Sequence, residues 1–251
     1  MDLKGFADYM EKILSISSFC DVSQNGIQIE CPDKEIKKIA FAVDACLYTI
    51  EKARDEKADV LFVHHGIFWK DVEKVVGSHY KRIKSALDAS LALFAVHIPL
   101  DAHPVYGNNA QMALRLGMEG YDPFSDFMGS SVGFKGKLPF PMRAGEIAKI
   151  LGFSYDTGLR ILDNRSSMIE SVGIVSGSGG SDAMLAFSEG LDALITGDMP
   201  YETASFVEEH DFAVIAGGHY KSEEFGVKAI SRLVSKELGL ECVYIPEERE
   251  L

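Results

Sequence analysis

The stretch DVLFVHHGIF, residues 59–68, runs an unbroken apolar segment, Val60 to Val63, straight into two adjacent histidines and a glycine. A segment apolar at every position, rather than at alternate ones, is buried on both faces. That is the condition of a strand inside a mostly parallel sheet covered by helices. Ligand-binding groups of such sheets collect just beyond the carboxyl ends of the strands, where His64, His65 and Gly66 stand. Outward from this point the chain repeats the same alternation. KIAFAV (38–43) and the helical CLYTIEKARDEKA precede it; a helix around Tyr80, Ile83 and Leu87, the strand LALFAV (91–96) and a helix from Asn109 to Leu116 follow. The N-terminal MDLKGFADYMEKIL reads as an amphipathic helix with Leu3, Phe6, Met10, Ile13 and Leu14 on one face.

Residues 117–142 break the pattern with Gly, Ser, Pro and Phe. Alternation resumes with RAGEIAKIL, SVGIVS, DAMLAFSEG, DALIT, YETASFVEEH, FAVIAG, a long helix from about Ser222 and the strand ECVYIP. The expected fold class is therefore α/β, as two interlinked subdomains with mostly parallel sheets, divided into residues 1–125 and 126–251.

With 47% hydrophobic and 25% charged residues, the 251-residue chain has the composition of a folded globular protein. Its 38 acidic against 25 basic residues leave a net charge of −13, which repels extended duplex nucleic acid. A small nucleotide stays compatible, because cations held in a pocket reverse the local sign. Cys20, Cys31, Cys46 and Cys242 form no C-x-x-C pair, so zinc-ribbon and redox motifs are missing and a reducing cytoplasm fits. The charged N-terminal segment does not read as a signal peptide, and no apolar run reaches membrane-spanning length.

Three strand ends carry chemistry. Adjacent strand residues point to opposite faces, so His64 and His65 reach one site only where the chain leaves strand geometry, and Gly66 helps it do so. Taken alone, they also read as hydrogen-bonded loop histidines. In HIPLDAH, Pro99 holds the segment extended. There Asp101 is a hard oxygen ligand or a cap for the following segment, and His97 orients a ligand, transfers protons or fills a buried niche. In GGHYKSEEFG, His219 and Glu223 stand one helical turn apart, so Glu223 offers two oxygens where His219 offers a nitrogen. Ser222 as a helix cap with first-turn glutamates also accounts for Glu223. Three strand ends on one edge of a parallel sheet favour a shared site. Its nitrogen and oxygen donors suit Zn, Fe, Mn, Ni or Co.

The segments QNGIQIE (24–30), ADVLFVHHGIFW (58–69), HIPLDAHPVYGNNAQMA (97–113), LITGDMPYET (194–203) and GGHYKSEEFG (217–226) together resemble the dinuclear metal centre family of type 2 GTP cyclohydrolase I homologues, the Ngg-interacting-factor-like proteins. That resemblance implies two divalent metal ions per chain, one on His65 and Asp101, the other on His64 and His219, with Glu223 bridging. It also implies a toroidal homohexamer with metal sites facing an internal cavity. The implied activity is that of a metal-dependent hydrolase acting on a nucleotide or phosphoester-like small molecule through a metal-activated water; His97, from its place beside the strand end and not from the resemblance, is the candidate catalytic acid or base. The alternative is a metal-ion storage or delivery protein. Residues 117–165 carry no motif of the family.

Other features have simpler readings. The Gly-rich turn in IVSGSGGSDAML lacks the Lys-Ser/Thr of a P-loop and reads as a tight strand-to-helix connection. Asp198 either lines the metal pocket or caps the helix after Pro200. Trp69 is a pocket wall or core, and His103 has a weaker claim than His97.

Overall fold

A computed structural model describes residues 1–31, 35–71 and 73–247. In chain order the elements are α1 (Leu3–Leu14), β1 (Gly26–Ile29), β2 (Lys38–Asp44), α2 (Leu47–Asp55), β3 (Val60–His65), α3 (Gly77–Asp88), β4 (Ala92–Ala95), α4 (Ile98–Ala102), α5 (Asn108–Arg115), β5 (Asp122–Phe127), β6 (Ser130–Met142), α6 (Ala144–Leu151), β7 (Arg160–Asp163), β8 (Ile169–Val175), α7 (Ala183–Ser188), β9 (Ala193–Thr196), α8 (Glu202–Glu209), β10 (Ala213–Ala216), α9 (His219–Leu238) and β11 (Glu241–Tyr244). Among the described residues no helix is long and apolar enough to cross a membrane.

The chain forms two compact α/β units. Of the described residues, those in 1–100 and 227–247 make the first, and Asp101–Gly226 lie in the second. In the first unit the sheet order is β1-β4-β3-β2-β11. β4, β3, β2 and β11 run parallel, and β1 pairs antiparallel with β4 at the edge. The apolar runs of β2, β3 and β4 are buried as their continuous hydrophobicity requires. Phe41 pairs with Phe62 and Phe62 with Phe94 in register, which builds an aromatic row with centroids 5.3 and 5.9 Å apart. Phe6 of α1 meets Phe94 edge-on at 5.4 Å, and Met10 and Leu14 complete the buried face of that helix. Burial of such side chains contributes roughly 1.5–3 kcal/mol each.

The sheet of the second unit has the order β5-β6-β8-β9-β10-β7. Its centre, β8-β9-β10, is parallel, while β5, β6 and β7 pair antiparallel. The compositional break at 117–142 is the hairpin β5–β6, turned through Met128 and Gly129. Both have positive φ, 52° and 87°, as a two-residue hairpin turn of the tight type needs. The break is thus an edge of a sheet inside the second unit. The compact units accordingly differ from the division at 125/126 read from the sequence: the chain crosses after Leu100 and returns within α9, and Asp101 belongs with the second unit. Two further elements differ from expectation. Pro99 lies in the first turn of α4 instead of an extended segment, where its missing N–H is tolerated. Helix α9 begins at His219, three residues earlier than Ser222, so both His219 and Glu223 are helical.

Candidate metal centre

In the first unit His64 and His65 end β3, and His97 follows β4. Their ring nitrogens lie within 4.8 Å of one another. The rings of His64 and His65 are 4.6 Å apart, and His97 stands 5.1 and 5.6 Å from them. His64 is fully buried, and its Nδ1 lies 2.9 Å from the Val96 carbonyl oxygen. A carbonyl can only accept, so Nδ1 carries the proton and Nε2 presents its lone pair. His65 Nδ1 meets Asp44 Oδ1 at 2.7 Å, and His97 Nδ1 meets Asp21 Oδ1 at 2.9 Å. Acceptors on Nδ1 orient each ring with Nε2 as the donor atom for a metal or a proton, the arrangement that supports ligating histidines.

Asp21 and Asn25 build the frame of His97. Asn25 Oδ1 accepts from the His97 N–H at 2.8 Å, and Asp21 Oδ2 accepts from the Ile98 N–H at 3.0 Å and from Asn25 Nδ2 at 2.8 Å. Burial pushes the Asp21 carboxyl up, but the His97 hydrogen bond and charge, with donors from Asn25 and Ser23, outweigh it and hold the group at about 2. Gln28 braces the segment after the histidines: its Oε1 accepts from Ile67 N–H at 2.7 Å, and its Nε2 donates to Gln24 and Phe68 carbonyls. β3 ends at His65, and a Cβ on Gly66, where the chain has left the strand, would strike that amide, so the glycine permits this close approach.

In the second unit Asp101, His219 and Glu223 gather around the turn that follows β8. Asp101 Oδ1 accepts from Asn108 Nδ2 and from Ser176 Oγ, each at 2.8 Å. Asn108 Oδ1 in turn accepts from Gly226 N–H at 2.7 Å, and Asn109 Oδ1 accepts from Ser176 N–H at 2.7 Å. The two buried asparagines thereby tie Asp101 to the end of β8 and to α9. Asp101 and Glu223 offer carboxylate oxygens within 4.8 Å of one another, and His219 Nε2 lies 3.2 Å from Glu223 Oε1. His219 Nδ1 meets Asp198 Oδ2 at 2.6 Å. Hydrogen bonds to Asp198 and then Glu223 push the His219 imidazole up to about 10, against the opposing effect of burial. Gly177, at φ +60°, admits Glu223: a Cβ there would fall on its Oε1.

Within each unit, therefore, the residues expected from the sequence sit beside one another: His64, His65 and His97 in the first, Asp101, His219 and Glu223 in the second. His103 is a turn cap whose Nδ1 accepts from Tyr106 N–H at 2.9 Å and Val105 N–H at 3.1 Å. The Gly177 carbonyl accepts from Gly197 and Asp198 N–H, so the Gly-rich turn is held as a tight connection. Asp198 orients His219. Sequence reasoning missed Asp21, Asn25, Asp44, Asn108, Asn109 and Ser176. Asp44 alone had a visible signal, a carboxylate at the carboxyl end of an apolar strand.

Residues 1–250 match the family described as Duf34/NIF3 (NGG1p interacting factor 3). The chain belongs to the DUF34/NIF3 family. It is similar to a Pyrococcus abyssi member named GTP cyclohydrolase 1 type 2 homolog, 41% identical over 249 residues that cover 98% of each chain. Among solved structures it resembles the protein ybgI, described as of unknown function, with 27% identity, a TM-score of 0.89 and full coverage of both chains. A Thermus thermophilus protein is 33% identical with a TM-score of 0.88, again over the whole of both chains. In this chain His64, His65 and His97 form one cluster, and Asp101, His219 and Glu223 add carboxylate and imidazole donors, a nitrogen and oxygen chemistry that fits a divalent ion.

Proposed function

We propose that this DUF34/NIF3 chain is a metal-dependent hydrolase acting on a nucleotide or phosphoester-like small molecule. In this reading His64, His65, Asp101, His219 and Glu223 hold two divalent ions, from among Zn, Fe, Mn, Ni and Co, and His97 is the acid–base group. One observation carries it. Four histidines, His64, His65, His97 and His219, each place Nδ1 on an acceptor, namely the Val96 carbonyl, Asp44, Asp21 and Asp198. His210 Nδ1 meets the Phe206 carbonyl in the same way, so what supports the reading is that three of these oriented rings, His64, His65 and His97, also bring ring nitrogens within 4.8 Å of one another.

Bound divalent ions supply Lewis acidity and a water of lowered pKa. The remaining work falls to the chain. His97, held by Asp21, takes up a proton at Nε2 and returns it to a leaving group, and the Asp21 carboxylate stabilises the imidazolium in between. Asp101, fixed by Asn108 and Ser176, and Glu223, seated against Gly177, supply anionic oxygen that balances the charge of the cations. The names of the relatives, GTP cyclohydrolase 1 type 2 homolog, support a nucleotide-related substrate. Cytoplasmic location and a homohexamer belong to the same proposal, and light scattering that finds a monomer rejects the latter.

The test is turnover by metal-loaded protein on GTP and a phosphoester panel. Product release that is abolished in His97→Gln, with metal content unchanged, supports the hydrolase. No turnover across the panel, with metal confirmed by elemental analysis, rejects it in favour of metal storage or delivery.

A further inference from the structure

We propose that Trp69 is the wall on which a planar heteroaromatic ring of purine type stacks, so that a ligand is recognised by its ring as well as by its anionic groups. The proposal rests on the functional reading above and names the chemistry that selects its substrate. Trp69 is the chain's single tryptophan. It remains half-buried, although a wholly structural indole gains most by full burial. Its ring stands nearly perpendicular to the His97 imidazole, at 79° and 5.2 Å, and is inclined at 44° to His65 at 6.0 Å. Among the described residues no ring lies face to face on the indole, whereas a flat ligand would.

The indole is also held in place. Trp69 forms an antiparallel bridge with Ser23, the Phe68 carbonyl accepts from Gln24 N–H at 3.0 Å, and Gln28 Nε2 donates to that same carbonyl. The segment that fixes Trp69, residues 21–25, also carries Asp21 and Asn25, which orient His97. One short frame thus sets an aromatic surface at a fixed distance from the group assigned to proton transfer. Stacking has a further merit in a chain of net charge −13: it attracts a nucleoside without relying on a long-range field that repels phosphate.

Because the chain has one tryptophan, its fluorescence reports this surface directly. Metal-loaded protein is titrated with guanosine, adenosine, ribose 5-phosphate and inorganic phosphate. Saturable quenching by the nucleosides and none by ribose 5-phosphate or phosphate is the expected result; equal quenching by ribose 5-phosphate overturns the proposal. Equilibrium dialysis with guanosine then compares variants. Trp69→Leu is expected to weaken binding about ten- to hundred-fold and Trp69→Phe only a few-fold, with metal content unchanged in both. Unaltered guanosine affinity in folded, metal-replete Trp69→Leu overturns it. The fluorescence titration uses the unaltered chain, so the decision does not hang on a variant's folding. Guanosine binding through Trp69 with no turnover removes the hydrolase and leaves the stacking wall; turnover with unchanged KM in Trp69→Leu does the reverse.

Discussion

Replacing Gly177 by alanine separates backbone strain from displacement of a ligand. The backbone at Gly177 has φ +60°, where an L side chain costs about 1–2 kcal/mol. The added methyl would also fall on Glu223 Oε1, with His219 Cε1 only 3.5 Å away. Because that oxygen ends a flexible side chain, the clash is relieved by moving the carboxylate by about 1 Å, not by opening the core. Gly190→Ala is the matched control, since its φ is +77° and no atom lies within 4 Å of the new methyl. Both variants are expected to lose about 1 kcal/mol in urea unfolding of metal-free protein. Only Gly177→Ala should also lose metal affinity, by about ten- to hundred-fold, the range seen when a ligand's support is disturbed. Metal titration of the two variants beside the parent decides the matter. Gly177→Ala that binds metal as tightly as Gly190→Ala would refute the placement of Glu223 as a ligand.

Three more outcomes follow from the geometry. Asp21→Asn should cost roughly 1–2 kcal/mol at neutral pH after solvent screening. A carboxyl lowered from 3.8 to about 2 contributes stability above pH 3.8 that is lost as pH falls toward 2, so the gap between parent and variant in urea unfolding should narrow across that window. His219, held up to about 10 by Asp198 and Glu223, is protonated in metal-free protein at pH 8. Metal loading there should release a proton that an indicator dye detects, with release lost above pH 10; no release at pH 8 contradicts the assignment of His219. Gln28→Ala removes the acceptor for Ile67 N–H and the donor to Gln24 and Phe68 carbonyls, and should cost about 1–3 kcal/mol of stability by urea unfolding.

The residues that announce themselves in the sequence do so for one reason: a polar group at the carboxyl end of a wholly apolar strand contradicts local hydrophobicity and demands an explanation. His64, His65, His97 and His219 are all of that kind, and the βαβ alternation that places them is legible in the same apolar strands. The supporting groups are silent because hydrogen bonding across the fold leaves no periodic trace. Asp21 lies in a polar loop 76 residues from His97, and Asn109 is 67 residues from Ser176. The hairpin β5–β6 was hidden because its two left-handed turn residues, Met128 and Gly129, and its prolines resemble a linker in composition. The boundary after Leu100 was hidden because the crossing falls inside the short helix α4, where composition does not change.

The proposed role of Glu223 as a ligand shared by two divalent ions is decided by elemental analysis of unsupplemented protein beside Glu223→Ala. About two ions per chain in the parent and fewer than about one in the variant is the predicted result, because removing a carboxylate proposed to serve both ions would disrupt the pair. Equal metal content in the two proteins would contradict it.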